Sequence, residues 1–348
     1  MRTLLLGGNG FMGRFVAPLL QQQGHAVAVF HRGSTPAPEG VEEILGERGQ
    51  LGECADALRR FAAEVVIDFV LSSGSQAQEL MQVFRGAARR VVMISSIDVY
   101  RATGVLHGTE HGPLQEVPLT EDSELRRTLV PYPPEAVARM RQIFPWLTDD
   151  YDKIPAERVV MSEPEMPGTV LRLPMVYGPG DPLHRFYPVV KRIADGRRHI
   201  LLSAPLAAWR TTRGYVENVA AAIALAAGEE RAAGRIYNVC EEPAYSELEW
   251  ARKIAAAMHW DGEFIVLPPE STPSHLLTPG NLAQHWEASS ARLRQELGYR
   301  EPVAMDEAIR RTIQWELENP PHLEVTPPFD YAAEDVAADN RPAARTDQ

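Results

Sequence analysis

Gly7, Gly10 and Gly13 follow a short apolar run, Thr3 to Leu6, and precede a helical pattern carried by Phe15, Val16, Leu19 and Leu20. Glycine at this spacing suits a pyrophosphate: the turn is tight, the backbone must approach the phosphates, and the helix start offers N–H groups and a positive dipole end. Glycines also mark ordinary tight turns, but the strand before and the helix after favour a dinucleotide. A second apolar run, Ala26 to Phe30, ends in His31, Arg32 and Gly33. A carboxylate there would take the adenosine ribose hydroxyls, whereas an arginine can pair with a 2′-phosphate. With His31 in the acid's place and Arg32 next, the pattern favours NADP(H) over NAD(H). The alternative is an Arg32 that stacks on adenine or lies in solvent.

The elements that must position these residues follow the same logic. Compact β-branched runs recur at Val65 to Val70, Arg90 to Ser96 and Thr169 to Pro174, with helical stretches between them. This alternation predicts an α/β fold, a doubly wound parallel sheet covered on both faces. Between Tyr100 and Asp149 prolines, acids and short apolar pieces interrupt the pattern, with some helix expected near Glu135 to Phe144. This insertion reads as a lid over a substrate or as a surface excursion. Further on, helices are expected at Asn218 to Ala227, Ser246 to Met258 and Met305 to Glu318, with a short strand at Arg235 to Val239. The expected division is a Rossmann domain over 1–174 with an insertion over 101–148, and a smaller, partly interleaved α/β substrate domain over 175–320. The Pro-, Ala- and acid-rich residues 321–348 read as an extended or disordered tail.

With 348 residues, 45% hydrophobic and 24% charged, the composition is that of an ordinary globular protein large enough for a substantial core. The formal net charge of -12 gives nucleic acid and anionic membranes no general electrostatic reason to bind. Cys54 and Cys240 make neither a disulfide framework nor a metal-ligand pair. The start of the chain lacks the long apolar region of a secretory signal, and its most apolar helical stretch is far short of the roughly 20 residues needed to span a bilayer. A cytoplasmic location is expected. His107, Glu110, His111, Glu116, Glu121, Asp122 and Glu124 crowd the insertion without strict ligand spacing, so a solvated acidic loop and no metal are expected.

Four further segments carry a resemblance: ISSIDVY (Ile94 to Tyr100), LRLPMVYGPGD (Leu171 to Asp181), GYVENVAAAI (Gly214 to Ile223) and SSARLRQELGY (Ser289 to Tyr299). In this order they resemble the extended short-chain dehydrogenase/reductases, the family of NAD-dependent epimerases and dehydratases. The resemblance spans Thr3 to about Asn319. It implies hydride transfer at a sugar or similar alcohol carbon, with a Ser or Thr and a Y-x-x-x-K tyrosine as acid/base, and dimers through helices of the cofactor domain. Residues four apart on a helix share one face, so the lysine can lower the tyrosine's pKa and contact the ribose.

Counting back from Tyr100 puts the family's serine on Ser96. Matching Lys153 and Glu157 to K-x-x-x-E puts Asp149, not tyrosine, four residues before the lysine, and Tyr151 only two before it. On a regular helix that is about 200° away. Pro155 marks a helix just starting, so the segment can begin in a loop where an i, i+2 pair converges. This pattern is similar to an atypical branch of the family, in which YDK replaces Y-x-x-x-K and a chloroplast RNA-binding protein is a distant relative. The FHRG strand end and the GERGQL segment (Gly46 to Leu51) point the same way, with Gln50 in place of an aspartate on adenine.

The expected catalytic residues are Ser96, Tyr151 and Lys153, with the lysine bringing the phenol toward neutrality. The alternative is a packed Tyr151 and a structural Lys153, leaving Asp149 as the next acid/base candidate. Expected cofactor contacts are Gly7, Gly10, Phe11, Met12, Gly13, His31, Arg32, Gln50, Phe69, Val70, Lys153 and Pro174. Expected substrate contacts are Asp98, Tyr100, His184, Arg185, Arg210 and Arg213; a structural salt-bridge role is the alternative for the last two. Two functions follow: an NAD(P)-dependent epimerase/dehydratase or reductase of a polar small molecule such as a sugar or sugar nucleotide, or a non-catalytic NAD(P) sensor or macromolecule-binding protein.

Overall fold

The computed structural model describes residues 1–129, 131–132, 134–144, 146–321 and 329–341. Seven strands, β1 (Arg2–Leu6), β2 (Ala26–His31), β3 (Glu42–Leu45), β4 (Val65–Asp68), β5 (Arg90–Ser96), β6 (Gly168–Leu173) and β7 (Arg235–Asn238), form one sheet. Its order is β7-β6-β5-β4-β1-β2-β3, with every pairing parallel. This is the doubly wound α/β architecture the alternating runs predict.

The period of two within each run divides the core. Leu5, Val29, Ile67, Val92 and Leu171 enter one apolar cluster, while Leu4, Phe30, Val66, Met93 and Val170 enter another on the opposite face. The first face is covered by the helices Gly13–Gln22 and Val216–Gly228. The second carries Gly74–Phe84 and Lys153–Met161. Alanines along Val216–Gly228 let this buried helix lie close to the sheet.

Several expectations need correction. The strand β3 was not expected: only Ile44 of its four residues is buried, because it is the sheet's edge. The helix at Val216–Gly228 and the strand β7, both expected in the smaller domain, belong to the cofactor sheet and its cover. The tail contains a helix, Tyr331–Asp339, capped by Asp330 and held by fully buried Glu334, which accepts hydrogen bonds from Arg192 and His275. The rest of the tail expectation, 322–328 and 342–348, lies outside the described residues. Among the described residues no helix is long and apolar enough to cross a membrane.

A buried polar network ties the sheet together at the end where the loops gather. Arg172 on β6 meets Glu157 side-on, with Nη2–Oε2 at 2.7 Å and Nε–Oε1 at 3.1 Å. Ser95 Oγ on β5 donates to the same carboxylate at 2.6 Å. Tyr100, expected to touch substrate, is instead fully buried: its hydroxyl takes a hydrogen bond from Arg172 and donates to Asn238 Oδ1.

Removing one member of such a pair leaves an uncompensated buried charge. Glu157→Ala is expected to lower stability by about 3–5 kcal/mol in urea denaturation, and Glu157→Leu with Arg172→Met to recover most of it. A loss under about 1 kcal/mol for the single variant would show that the pair does not hold the sheet's loop end.

Candidate functional site

The cofactor-side groove begins where β1 ends. Gly7 has φ +75°, and a Cβ there would meet Val70 Cγ1 at 2.8 Å. At Gly13 a Cβ would lie 2.4 Å from the backbone oxygen of Gly8, so this glycine serves turn packing. A Cβ on Gly10 would meet only Gly7 O, at 3.4 Å. Strain and packing account for the outer two, while the middle glycine keeps the cradle floor open. The adjoining cavity, about 410 Å³, is lined by Gly7, Gly10, His31, Arg32, Arg48 and Val70, among others. His31 is buried between Asn9 and Glu43, and Arg32 is exposed at the rim. Gln50 is a correction: it is exposed and off this lining, and Arg48 of the same segment faces the cavity, held by Asp68 Oδ2 through Nε at 3.0 Å and Nη2 at 2.8 Å. These residues fit a dinucleotide's phosphates and adenosine.

A second cavity, about 440 Å³, opens at the ends of β5 and β6. Phe11, Met12, Phe69 and Pro174 line it together with Ser96, Asp98, Tyr151 and Lys153. Lys153 is the first residue of its helix, and Asp152, the N-cap, is extended at φ -160° and ψ 125°. An extended residue turns its two neighbours to the same side, so Tyr151 and Lys153 converge despite their spacing. The Lys153 Nζ lies 5.9 Å from the Tyr151 ring centroid and donates to the carbonyls of Leu71 and Ile94. The Tyr151 hydroxyl donates to Asp98 Oδ2 at 2.7 Å, and Tyr132 does the same at 3.0 Å. Ser96 Oγ accepts from the Asp98 amide. Asp98 is fully buried, and its Oδ1 has no partner among the described residues.

The electrostatics of Tyr151 differ from expectation. Burial, reinforced by the Asp98 carboxylate, holds the phenol well above its ordinary pKa. Burial also lowers Lys153 to about 8, although Asp98 opposes that shift. Lysine therefore does not bring the phenol toward neutrality here; the proton stays on Tyr151 because its acceptor is an anion. Asp149 lies outside the cavity lining, exposed and paired with Arg141.

The expected substrate contacts divide. Asp98 and Arg185 line the large cavity; Arg185 Nη1 is engaged by Asp181 at 2.6 Å and the Val176 carbonyl at 2.7 Å. Arg210 and Arg213 do not, because carboxylates of the helix Glu247–Ala257 take both guanidinium groups: Glu249 at 3.0 Å and Glu247 at 2.6 Å. His184 also points elsewhere, stacked on Trp315 and bonded to Glu316 at 2.7 Å. Sequence reasoning missed His107, Tyr132 and Trp146 of the insertion and the distant Trp209 and Trp286, all on the lining. The aromatic content of the insertion was the available signal.

A model of the NAD dependent epimerase/dehydratase family matches residues 3–240. The chain belongs to this family. Among curated relatives, uncharacterized protein y4nL of Sinorhizobium fredii is 28% identical over 176 residues, 43% of this chain and 47% of that protein. The 2'-dehydrokanamycin reductase of Streptomyces kanamyceticus is 32% identical over 127 residues, 35% of this chain and 32% of that one. The matched regions thus span less than half of either relative's length. Among solved structures, dTDP-glucose 4,6-dehydratase from Bacillus anthracis in complex with NAD superimposes with a TM-score of 0.66 at 15% identity, covering 92% of this chain and 97% of that one. UDP-glucose 4-epimerase of Thermus thermophilus, complexed with NAD, gives 0.63 at 22%, covering 90% and 98%. At these identities the likeness is one of fold.

The His184–Glu316 contact of this epimerase/dehydratase family member has its own pH signature. Burial, reinforced by Asp181, raises Glu316 from an ordinary 4.5 to about 8, while backbone N–H groups of Phe186 and Tyr187 oppose the shift. Burial lowers His184, so the neutral carboxyl–imidazole hydrogen bond is favoured over an ion pair at neutral pH. A carboxyl with a raised folded pKa contributes stability that is fully present below the unfolded value and lost as pH rises through the folded one. Glu316→Gln is therefore expected to change stability little at pH 5 and to exceed the parent by more than about 1 kcal/mol at pH 9, read from thermal melts. Equal differences at both values would show that this carboxyl does not titrate in the window.

Proposed function

We propose that the chain is an NADP(H)-preferring enzyme that interconverts an alcohol and a carbonyl in a small molecule. The observation that carries this reading is the Tyr151 hydroxyl bonded to buried Asp98 at a cavity shared with Ser96 and Lys153. A nicotinamide dinucleotide supplies or accepts the hydride when bound. Gly7, Gly10 and the start of the first helix would receive its phosphates, and Phe11, Met12, Phe69 and Pro174 would enclose its reacting end. Lys153 would orient the adjacent ribose. Tyr151, neutral in its environment, would donate its proton to the substrate oxygen as the carbonyl is reduced, and a proton taken up from solvent, directly or through Asp98, would restore the phenol. In the alcohol-oxidising direction the proton would pass from substrate to Tyr151 as the tyrosine's own moves to Asp98. The relative that reduces 2'-dehydrokanamycin supports reduction as the net chemistry.

The NADP(H) preference rests on Arg32 with Ser34 and Thr35 along the adenosine-side cavity, and on His31 where a carboxylate would end β2. Glu47 on the same lining opposes it. Calorimetric titration should give tighter binding of NADPH than NADH, and Arg32→Ala should weaken NADPH alone, by about 10- to 100-fold. Tighter NADH binding to the parent protein would sink the preference. Tyr151→Phe, folded by circular dichroism, should lower kcat by about 10²- to 10⁴-fold. Undiminished turnover would remove Tyr151 as the acid.

A non-catalytic sensor is the second reading, favoured by Trp146, which lines both cavities and could report occupancy of one to the other. NADPH binding with no turnover of any carbonyl substrate would support it.

A further inference from the structure

The large cavity's walls are poor in groups that could receive a phosphate. Leu106, Phe144, Trp146, Trp209, Leu282 and Trp286 supply much of the lining. The paired indoles of Trp209 and Trp286, stacked at 6.5 Å, spend their N–H groups outward, on Gln284 O at 2.9 Å and Thr103 Oγ1 at 3.0 Å. They therefore turn carbon toward the cavity. Among the described residues, the lysine and arginine on the lining are both engaged. Lys153 donates to two backbone carbonyls, and Arg185 gives its Nη1 to Asp181, itself 1% exposed, and to the Val176 carbonyl. Arg210 and Arg213 are held by carboxylates away from the lining.

Against these walls the acceptor capacity is concentrated at one point. Among the described residues, none partners the buried Asp98 Oδ1. Arg126, packed beside it, spends its guanidinium on Asp152, Thr128 O and the Asp98 backbone oxygen instead. A buried carboxylate oxygen without a donor is costly, and a ligand hydroxyl would satisfy it. A diphosphate next to this anion would meet repulsion. The cavity of about 440 Å³ must also admit the reacting end of a dinucleotide beside Phe11 and Met12, which leaves room for a ring-sized molecule.

We infer that the substrate is an uncharged, phosphate-free hydroxycarbonyl compound with an apolar or aromatic face, its carbonyl at Tyr151 and its hydroxyl on Asp98 Oδ1. This deepens, and for the carbonyl's position rests on, the alcohol–carbonyl reading above. It sets the chain apart from the sugar-nucleotide enzymes with which it shares a fold.

Calorimetry on the full chain saturated with NADP⁺ tests the substrate class apart from turnover, with 2-hydroxyacetophenone and UDP-glucose as probes. The aromatic ketol is expected to bind at least tenfold more tightly than UDP-glucose and to lose about tenfold or more in Asp98→Asn or Trp286→Ala. Tighter binding of UDP-glucose, binding of neither probe, or ketol affinity indifferent to both Asp98→Asn and Trp286→Ala overturns the inference. NADPH oxidation with the same ketol is read separately. Binding as expected without turnover would leave the substrate class standing and bring down the redox reading, whereas turnover of UDP-glucose with poor ketol binding would do the reverse.

Discussion

The site depends on one buried contact, the carboxylate of Glu157 between Arg172 and Ser95. Glu157 lies one helical turn after Lys153, so fixing it to β5 and β6 also fixes where that helix begins. Tyr151 and Lys153 inherit their positions from this anchor. Through Arg172 the restraint continues to Tyr100 and Asn238, and Asn238 in turn donates its side-chain amide to Leu119 O and its backbone N–H to Glu121 Oε1. Two sheet strands, the far edge strand and the insertion are thus clamped by one satisfied network. Its weakness as a source of net stability matters less than its directionality, because ion pairs and hydrogen bonds specify geometry where apolar packing tolerates sliding.

Given that anchor, the local backbone decides the chemistry. In a helical Y-x-x-x-K pair the lysine sits one turn from the phenol and favours phenolate. Here an extended Asp152 brings tyrosine and lysine together at half that separation in sequence, and the closest charged partner of the hydroxyl is Asp98, at 2.7 Å. The sign of the perturbation reverses, since burial and a carboxylate accepting the tyrosine's hydrogen bond keep the proton on the phenol. The same residue types are retained, but the Tyr151 hydroxyl is held protonated against a carboxylate.

What could be read from the sequence was what depends on near neighbours. The glycine turn declares itself because Gly7 and Gly13 answer to steric limits within a few residues, and the central strands because a sheet buried on both faces demands compact apolar runs. The convergence of Tyr151 with Lys153 was legible too, since Pro155 marks the helix start. The edge strand β3 escaped because only Ile44 must be apolar there. Arg210, Arg213 and His184 were misplaced for another reason: their partners Glu249, Glu247 and Glu316 come from remote helices, and charge pairing across a fold has no local signature. The tail helix follows the same rule, held by Arg192 and His275 from afar.

One stretch of the insertion, residues 134–144 and 146–147, is the opposite case: its composition is informative and little of it is buried. None of the ten residues of its helix Pro134–Ile143 is buried, yet Met140, Phe144, Trp146 and Leu147 line the large cavity. Trp146 also borders the adenosine-side cavity, and its ring is 5.6 Å from Lys153 Nζ. A segment with little buried surface of its own gains most of its contacts from whatever fills the cavities beneath it. Occupation of the cofactor groove would therefore bear on the indole that walls the substrate space, and the rigid side of the site, anchored through Glu157, would meet a covering side whose order depends on ligand.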